Sequence, residues 1–127
     1  MSGVPIPTED QEQEALFQWV KMVEHSARWN TTGLSLLYAV PNGGYRHPAT
    51  AALLKRTGVK AGVPDMFLPV AKGKWHGLYI ELKRAKGGVV SAEQKVWHNR
   101  LQEQGYCVKV CRGWEQAREA ITEYMEV

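Results

Sequence analysis

The sequence predicts an α/β domain in the order α-β-α-β-β-α-β-α, with a mixed sheet flanked by helices. Three observations carry that expectation. Leu78, Ile80 and Leu82 alternate with Tyr79, Glu81 and Lys83, the period-2 pattern of a strand with one buried face. An earlier apolar run, Met66-Phe67-Leu68, is cut by Pro69 and by Lys72-Gly73-Lys74, so the two runs are candidates for a hairpin. Toward each end of the chain the spacing becomes helical, with Leu16, Trp19, Val20 and Val23 in one stripe and Ala117, Ala120, Ile121 and Tyr124 in the other. With 127 residues there is room for one small core and not for a second, so residues 1–127 are expected to form a single domain.

The elements follow in order. Residues 1–8 contain Gly3, Pro5 and Pro7 and read as an extended, flexible arm. Thr8 is a candidate helix cap, with Gln11 three residues on and acids in the first turn. Leu34 to Val40 shows no alternation and is expected to be a strand buried on both faces. Pro41-Asn42-Gly43-Gly44 reads as a tight turn, and Pro48 then opens a short helix that Gly58 stops. After the hairpin, Arg84-Ala85-Lys86-Gly87-Gly88 is a flexible basic loop. Ser91 caps the next helix with Gln94 as its capping-box partner, and Val96, Trp97 and Leu101 form the expected packing stripe. Gly105 ends that helix before the strand through Cys107 and Cys111. In the last helix Tyr124, Met125 and Val127 either complete the core or leave apolar surface for a second copy of the chain.

Charge is unevenly placed. Residues 46–112 hold 13 Lys/Arg and 4 Asp/Glu, or +9, while the flanks sum to −6 within a net charge of +3. A basic middle suits a polyanionic partner, although lysines also protect sheet edges. No run is long and apolar enough to span a membrane, and nothing resembles a signal peptide, so a cytoplasmic location is expected. His25, His47, His76 and His98 show no mutual ligand spacing, which argues against zinc. Cys107 and Cys111 are expected to be free, buried thiols.

The chemistry concentrates at Gly62-Val63-Pro64-Asp65 and Glu81-Leu82-Lys83. If the hairpin forms in the right register, Asp65 falls opposite the Glu81–Lys83 end; a one-residue slip puts it on the other face. Two carboxylates there can hold a hard divalent cation that keeps waters and takes a phosphate oxygen. Lys83 can orient an attacking water or stabilise charge building on the phosphate. The alternative is a turn aspartate beside a solvated strand pair, common for Glu-x-Lys triplets. Against it, Glu and Lys are poor strand formers ending a strongly apolar strand.

Pro64-Asp65, Glu81-Leu82-Lys83 and Ser91-Ala92-Glu93-Gln94, followed by a helix and Gly105-Tyr106-Cys107-Val108, together resemble the VRR-NUC (virus-type replication-repair nuclease) domain of the PD-(D/E)XK superfamily. The likeness extends upstream to Pro41-Asn42-Gly43-Gly44 and to the helix bearing Glu14. It implies a restriction-endonuclease-like core and a Mg²⁺- or Mn²⁺-dependent DNA endonuclease. By resemblance, Asp65, Glu81 and the Leu82 backbone carbonyl hold the metal, Glu14 supports it directly or through water, and Lys83 and Gln94 assist catalysis. From the residues alone, Glu14 is either core-facing or solvated. Gln94 serves either as a capping residue or as a site residue, its one amide not being expected to satisfy both fully. Asn42, near the active site in the family, and Arg46, Arg56, Arg84 and Lys86 are the candidate DNA contacts, although the helix dipole alone explains a basic residue at position 56. Stand-alone members of the family resemble homodimeric resolvases of four-way (Holliday) junctions, so branched DNA and a homodimer are implied. A nuclease for flaps, ends or duplex DNA and a non-catalytic DNA-binding module are the alternatives. The intact Asp65/Glu81/Lys83 set argues against the latter.

Overall fold

Local signals start and stop the helices of the computed structural model, which describes residues 5–24, 33–41 and 47–126. The first helix, α1 (Glu9–Glu24), begins with a reciprocal cap. The Thr8 hydroxyl accepts from the Gln11 N–H at 3.1 Å, and the Gln11 carbonyl oxygen accepts from the Thr8 N–H at 2.9 Å. Glu12, Leu16 and Val20 form its buried stripe at four-residue spacing, with Phe17, Trp19 and Val23 partly buried beside it. The proline arm is anchored where it is described, because the Arg84 guanidinium donates to the carbonyls of Ile6 (3.0 Å) and Pro7 (3.2 Å).

The run from Leu34 departs from expectation. It forms a 3₁₀ turn, Leu34–Leu36, and only then a two-residue strand, β1 (Tyr38–Ala39). The three-residue period puts Leu34 and Leu37 into the core and leaves Leu36 and Tyr38 about half exposed (52% and 51%). The run therefore ends as an edge strand, not one covered on both faces. The short helix α2 (Pro48–Arg56) opens on Pro48, with the His47 ring nitrogen accepting from the Ala49 N–H, and buries no residue.

Next come β2 (Met66–Leu68), β3 (Leu78–Lys83), helix α3 (Ala92–Glu103), β4 (Cys107–Arg112) and helix α4 (Trp114–Glu126). The sheet order is β1-β2-β3-β4, antiparallel across the first two pairings and parallel between β3 and β4. The expected hairpin is present in the expected register, Met66 facing Ile80 and Leu68 facing Leu78. Helices α1 and α4 cover one face, where Leu16, Val20, Ala117 and Ile121 share a core with Leu78, Ile80 and Leu82. The other face carries Tyr79, Glu81 and Lys83. Phe67 stacks on Tyr79 there at 4.2 Å, and α3 overlies the Glu81 end.

Three further expectations are settled by burial. On α3 the face turned to the sheet includes Gln94, Trp97, His98 and Leu101, while Val96 is 55% exposed. Tyr124 and Met125 belong to the core, and the Tyr124 hydroxyl donates to the Val70 carbonyl at 2.6 Å, so they offer no free apolar patch; Val127 lies outside the described residues. Cys107 and Cys111 are free and buried. Four residues apart on one strand, they stand about 13 Å from each other, too far for a disulfide. Among the described residues no helix is long and apolar enough to cross a membrane.

Candidate active site

The ladder that closes the hairpin also builds the site. One step beyond Met66–Ile80, Asp65 stands opposite Glu81. Gly77 and Lys83 direct their carbonyls to β4, accepting from the N–H groups of Cys107 and Gly113. The odd residues of β3 therefore bond to β4, and Asp65 and Glu81 are a non-hydrogen-bonded pair. Such pairs bring Cα atoms to about 4.5 Å and the side chains close together. β2 begins only at Met66, so the Leu82 N–H has no strand partner; the Asp65 carboxylate (Oδ2) accepts from it at 2.7 Å. In an extended strand one residue's N–H and C=O project to the same edge. The Leu82 carbonyl thus points to the Asp65 side, as the expected metal ligand must.

Gly62 fits this corner to α3. Its φ of +93° lies in the left-handed region, and a Cβ would sit 2.9 Å from the Trp97 ring and 3.0 Å from the Glu93 carbonyl. The glycine lets the Gly-Val-Pro-Asp turn press against the helix that covers the site.

Glu81 is 1% exposed and Lys83 7%, so the Glu-x-Lys pair is not a solvated strand pair. The two residues of α3 nearest them complete a network. Gln94 donates from Nε2 to Glu81 Oε2 at 3.2 Å, and its Oε1 accepts from Lys83 Nζ at 3.0 Å. That oxygen also accepts from the Ser91 N–H at 2.8 Å, while Ser91 Oγ accepts from the Gln94 N–H. An amide oxygen has two lone pairs, so capping α3 does not prevent Gln94 from bonding Lys83 and Glu81 as well.

Burial raises the Glu81 carboxyl from its ordinary 4.5 to about 9, reinforced by a hydrogen bond with Asp65 and by its charge, against the opposing pull of Lys83. Burial beside a second carboxylate disfavours the ionised form of Glu81, and a cation placed between the two would offset that cost. Two carboxylates and a backbone carbonyl are hard oxygen donors and fit Mg²⁺ or Mn²⁺, which retain waters and need few protein ligands. Among the described residues no cluster of three or more His, Cys, Asp or Glu forms an all-protein cage.

Helix α1 contributes differently than expected. Glu14 is exposed, because two helical steps rotate it about 200° from buried Glu12. The α1 carboxylate whose charge reaches Glu81 is Glu9, in the first turn. Glu12 instead accepts from the Trp114 N–H at 3.2 Å, capping α4 across the fold. A Cβ on Gly113 would approach it to 3.3 Å. Its place on the Leu16–Val20 stripe was the legible sign that it is buried.

His98 was not among the expected site residues, yet its Nε2 lies 3.3 Å from Glu81 Oε1 and the residue is buried. Burial and the Lys83 charge lower its pKa against the opposing Asp65 charge, favouring a neutral ring. Its four-residue spacing from Gln94 was the available signal. Of the candidate DNA contacts, Arg56 and Lys86 are exposed, Arg84 is engaged with the arm, and Asn42 and Arg46 lie outside the described residues. Arg112 donates to the carbonyls of Gly87 (2.6 Å) and Gly88 (3.0 Å), tying down the loop after Lys83.

The family model described as VRR-NUC domain matches residues 7–115, which include the whole of this site. The chain belongs to the VRR-NUC family. A solved structure called "VRR_NUC domain protein" is similar at 30% identity and a TM-score of 0.78, over 96% of this chain and 91% of that one. No curated protein matches. VRR-NUC membership makes the chain a nuclease-type protein, with DNA as the substrate class.

Proposed function

We propose that the chain is a divalent-cation-dependent endodeoxyribonuclease, and the facing of Asp65 and Glu81 beside buried Lys83 carries that reading. Asp65, Glu81 and the Leu82 carbonyl would hold Mg²⁺ or Mn²⁺, which would supply Lewis acidity toward the phosphate and the attacking water. Lys83, held by the Gln94 oxygen, orients or deprotonates the attacking water and offsets charge that builds on the phosphate. Exposed Arg56 and Lys86 contact backbone phosphates, which position the substrate without reading its sequence.

Branched DNA such as a four-way junction is the proposed substrate, cut by a homodimer. Resolution of a junction takes two cuts on opposed strands, each chain brings one site, and two-fold pairing is the commonest symmetry of soluble oligomers. The test is cleavage of junction, flap and linear duplex with MgCl₂, with MnCl₂ and with EDTA, beside light scattering of the free protein. Junction cutting that requires a dication and disappears in Asp65→Ala is expected. Cleavage undiminished in Asp65→Ala removes the mechanism, and a monomer that cuts duplex as readily as junction removes the substrate assignment.

A further inference from the structure

His98 is buried against Glu81, and the chemistry above gives it no part. Burying an imidazole is unfavourable unless its nitrogens find partners, and a leucine would fill similar space at no such cost. Gln94 and His98 stand four residues apart on α3 and therefore share one face. From that face Gln94 Nε2 reaches Glu81 Oε2 at 3.2 Å and His98 Nε2 reaches Oε1 at 3.3 Å. An ionised carboxylate only accepts, so beside ionised Glu81 the Nε2 position carries the proton and donates. A single hydrogen bond leaves a carboxylate free to turn about its last bond; one at each oxygen fixes its plane. Gln94 reaches only one of the two oxygens, Oε2, and the second, Oε1, is the one that faces His98.

We propose that His98 is a positioning residue whose Nε2–H fixes the Glu81 carboxylate for a divalent cation, so that cation affinity depends on this donor and not on the volume of the ring. The inference rests on the reading of Asp65 and Glu81 as a cation site. Hydrogen-bond partners of metal ligands are worth about 10–100-fold in metal affinity.

His98→Leu keeps much of the volume and loses the donor, His98→Ala is a second donorless variant, and His98→Gln restores an N–H near the same place. Each is compared with the wild type and Asp65→Ala by calorimetric titration with MnCl₂ at one fixed pH. Thermal melts establish folding, and cleavage is followed across the same MnCl₂ range. The donorless variants should bind Mn²⁺ about 10–100-fold more weakly. They should also need correspondingly more Mn²⁺ for half-maximal cleavage while approaching the wild-type rate at saturation, and His98→Gln should recover most of the affinity. Wild-type affinity in a folded donorless variant, or a Gln variant as weak as Leu, overturns the inference while leaving the cation site standing. Wild-type Mn²⁺ binding that is absent, or unchanged in Asp65→Ala, overturns the cation-site reading and the inference together.

Discussion

Replacing Glu81 by glutamine should destroy cleavage and yet stabilise the cation-free protein at neutral pH. The native carboxyl holds its proton up to about pH 9, whereas in the unfolded chain it ionises near 4.5. Between those values the native state binds more protons than the unfolded state, so stability falls as pH rises. Its contribution is complete below pH 4.5 and lost progressively toward 9. Each pH unit costs ~1.4 kcal/mol, so by pH 7 the wild type has given up about 3 kcal/mol. Glutamine cannot ionise and avoids that loss. Its carbonyl can still accept from Gln94 and its NH₂ can donate to His98 in the tautomer whose Nε2 is unprotonated; rearranging these bonds costs up to ~1 kcal/mol. The net gain at pH 7 is about 2 kcal/mol, or roughly 5–10 °C in Tm for a chain of this length. Urea and thermal denaturation from pH 5 to 8.5 in EDTA reads the effect. The gap should widen with pH, and saturating MgCl₂ should reverse it by stabilising only the wild type. A variant less stable than the wild type at pH 8, or a gap independent of pH, refutes the reasoning.

Gly62→Ala places a side chain at φ +93° and within 3.0 Å of Trp97 and Glu93, so we expect a loss of about 1–3 kcal/mol in urea denaturation, with reduced cleavage because α3 shifts relative to Asp65. DNA affinity should fall steeply with salt, with a log–log slope of about −0.9 per phosphate contact, and Lys86→Glu should weaken binding to all sequences alike; an affinity flat across salt would show the basic middle to be edge protection only.

Much of the site was legible because its elements are local. Alternation marked β3 and the Pro69 and Lys72-Gly73-Lys74 breaks marked the turn, but the register stood as an assumption, because Met66-Phe67-Leu68 is apolar on both faces; the pairing of Met66 with Ile80 decided it. Both capping boxes depend on residues three apart and could be read directly. The Leu34 run misled because an apolar stretch without alternation fits a doubly covered strand and a 3₁₀ turn equally well. Only its edge position, with α1 beneath it, selects the turn.

By itself the sequence determined which chemical groups exist and in what order: a proline-positioned carboxylate, a Glu-x-Lys strand end and a capped helix beginning Ser-Ala-Glu-Gln. The tertiary structure decided which of them meet. Glu12 and Glu14 are both acids on one helix, and only the packing of α1 against the sheet buries the first and exposes the second. Lys83 and His98 are common surface residues by composition, and the covering of one sheet face by α3 turns them into buried partners of Glu81 and Gln94. A local stripe can mark the face a residue shares, as it does for Glu12, but the partner it meets lies across the fold, 102 residues away in the case of the Trp114 N–H, and no local pattern encodes that.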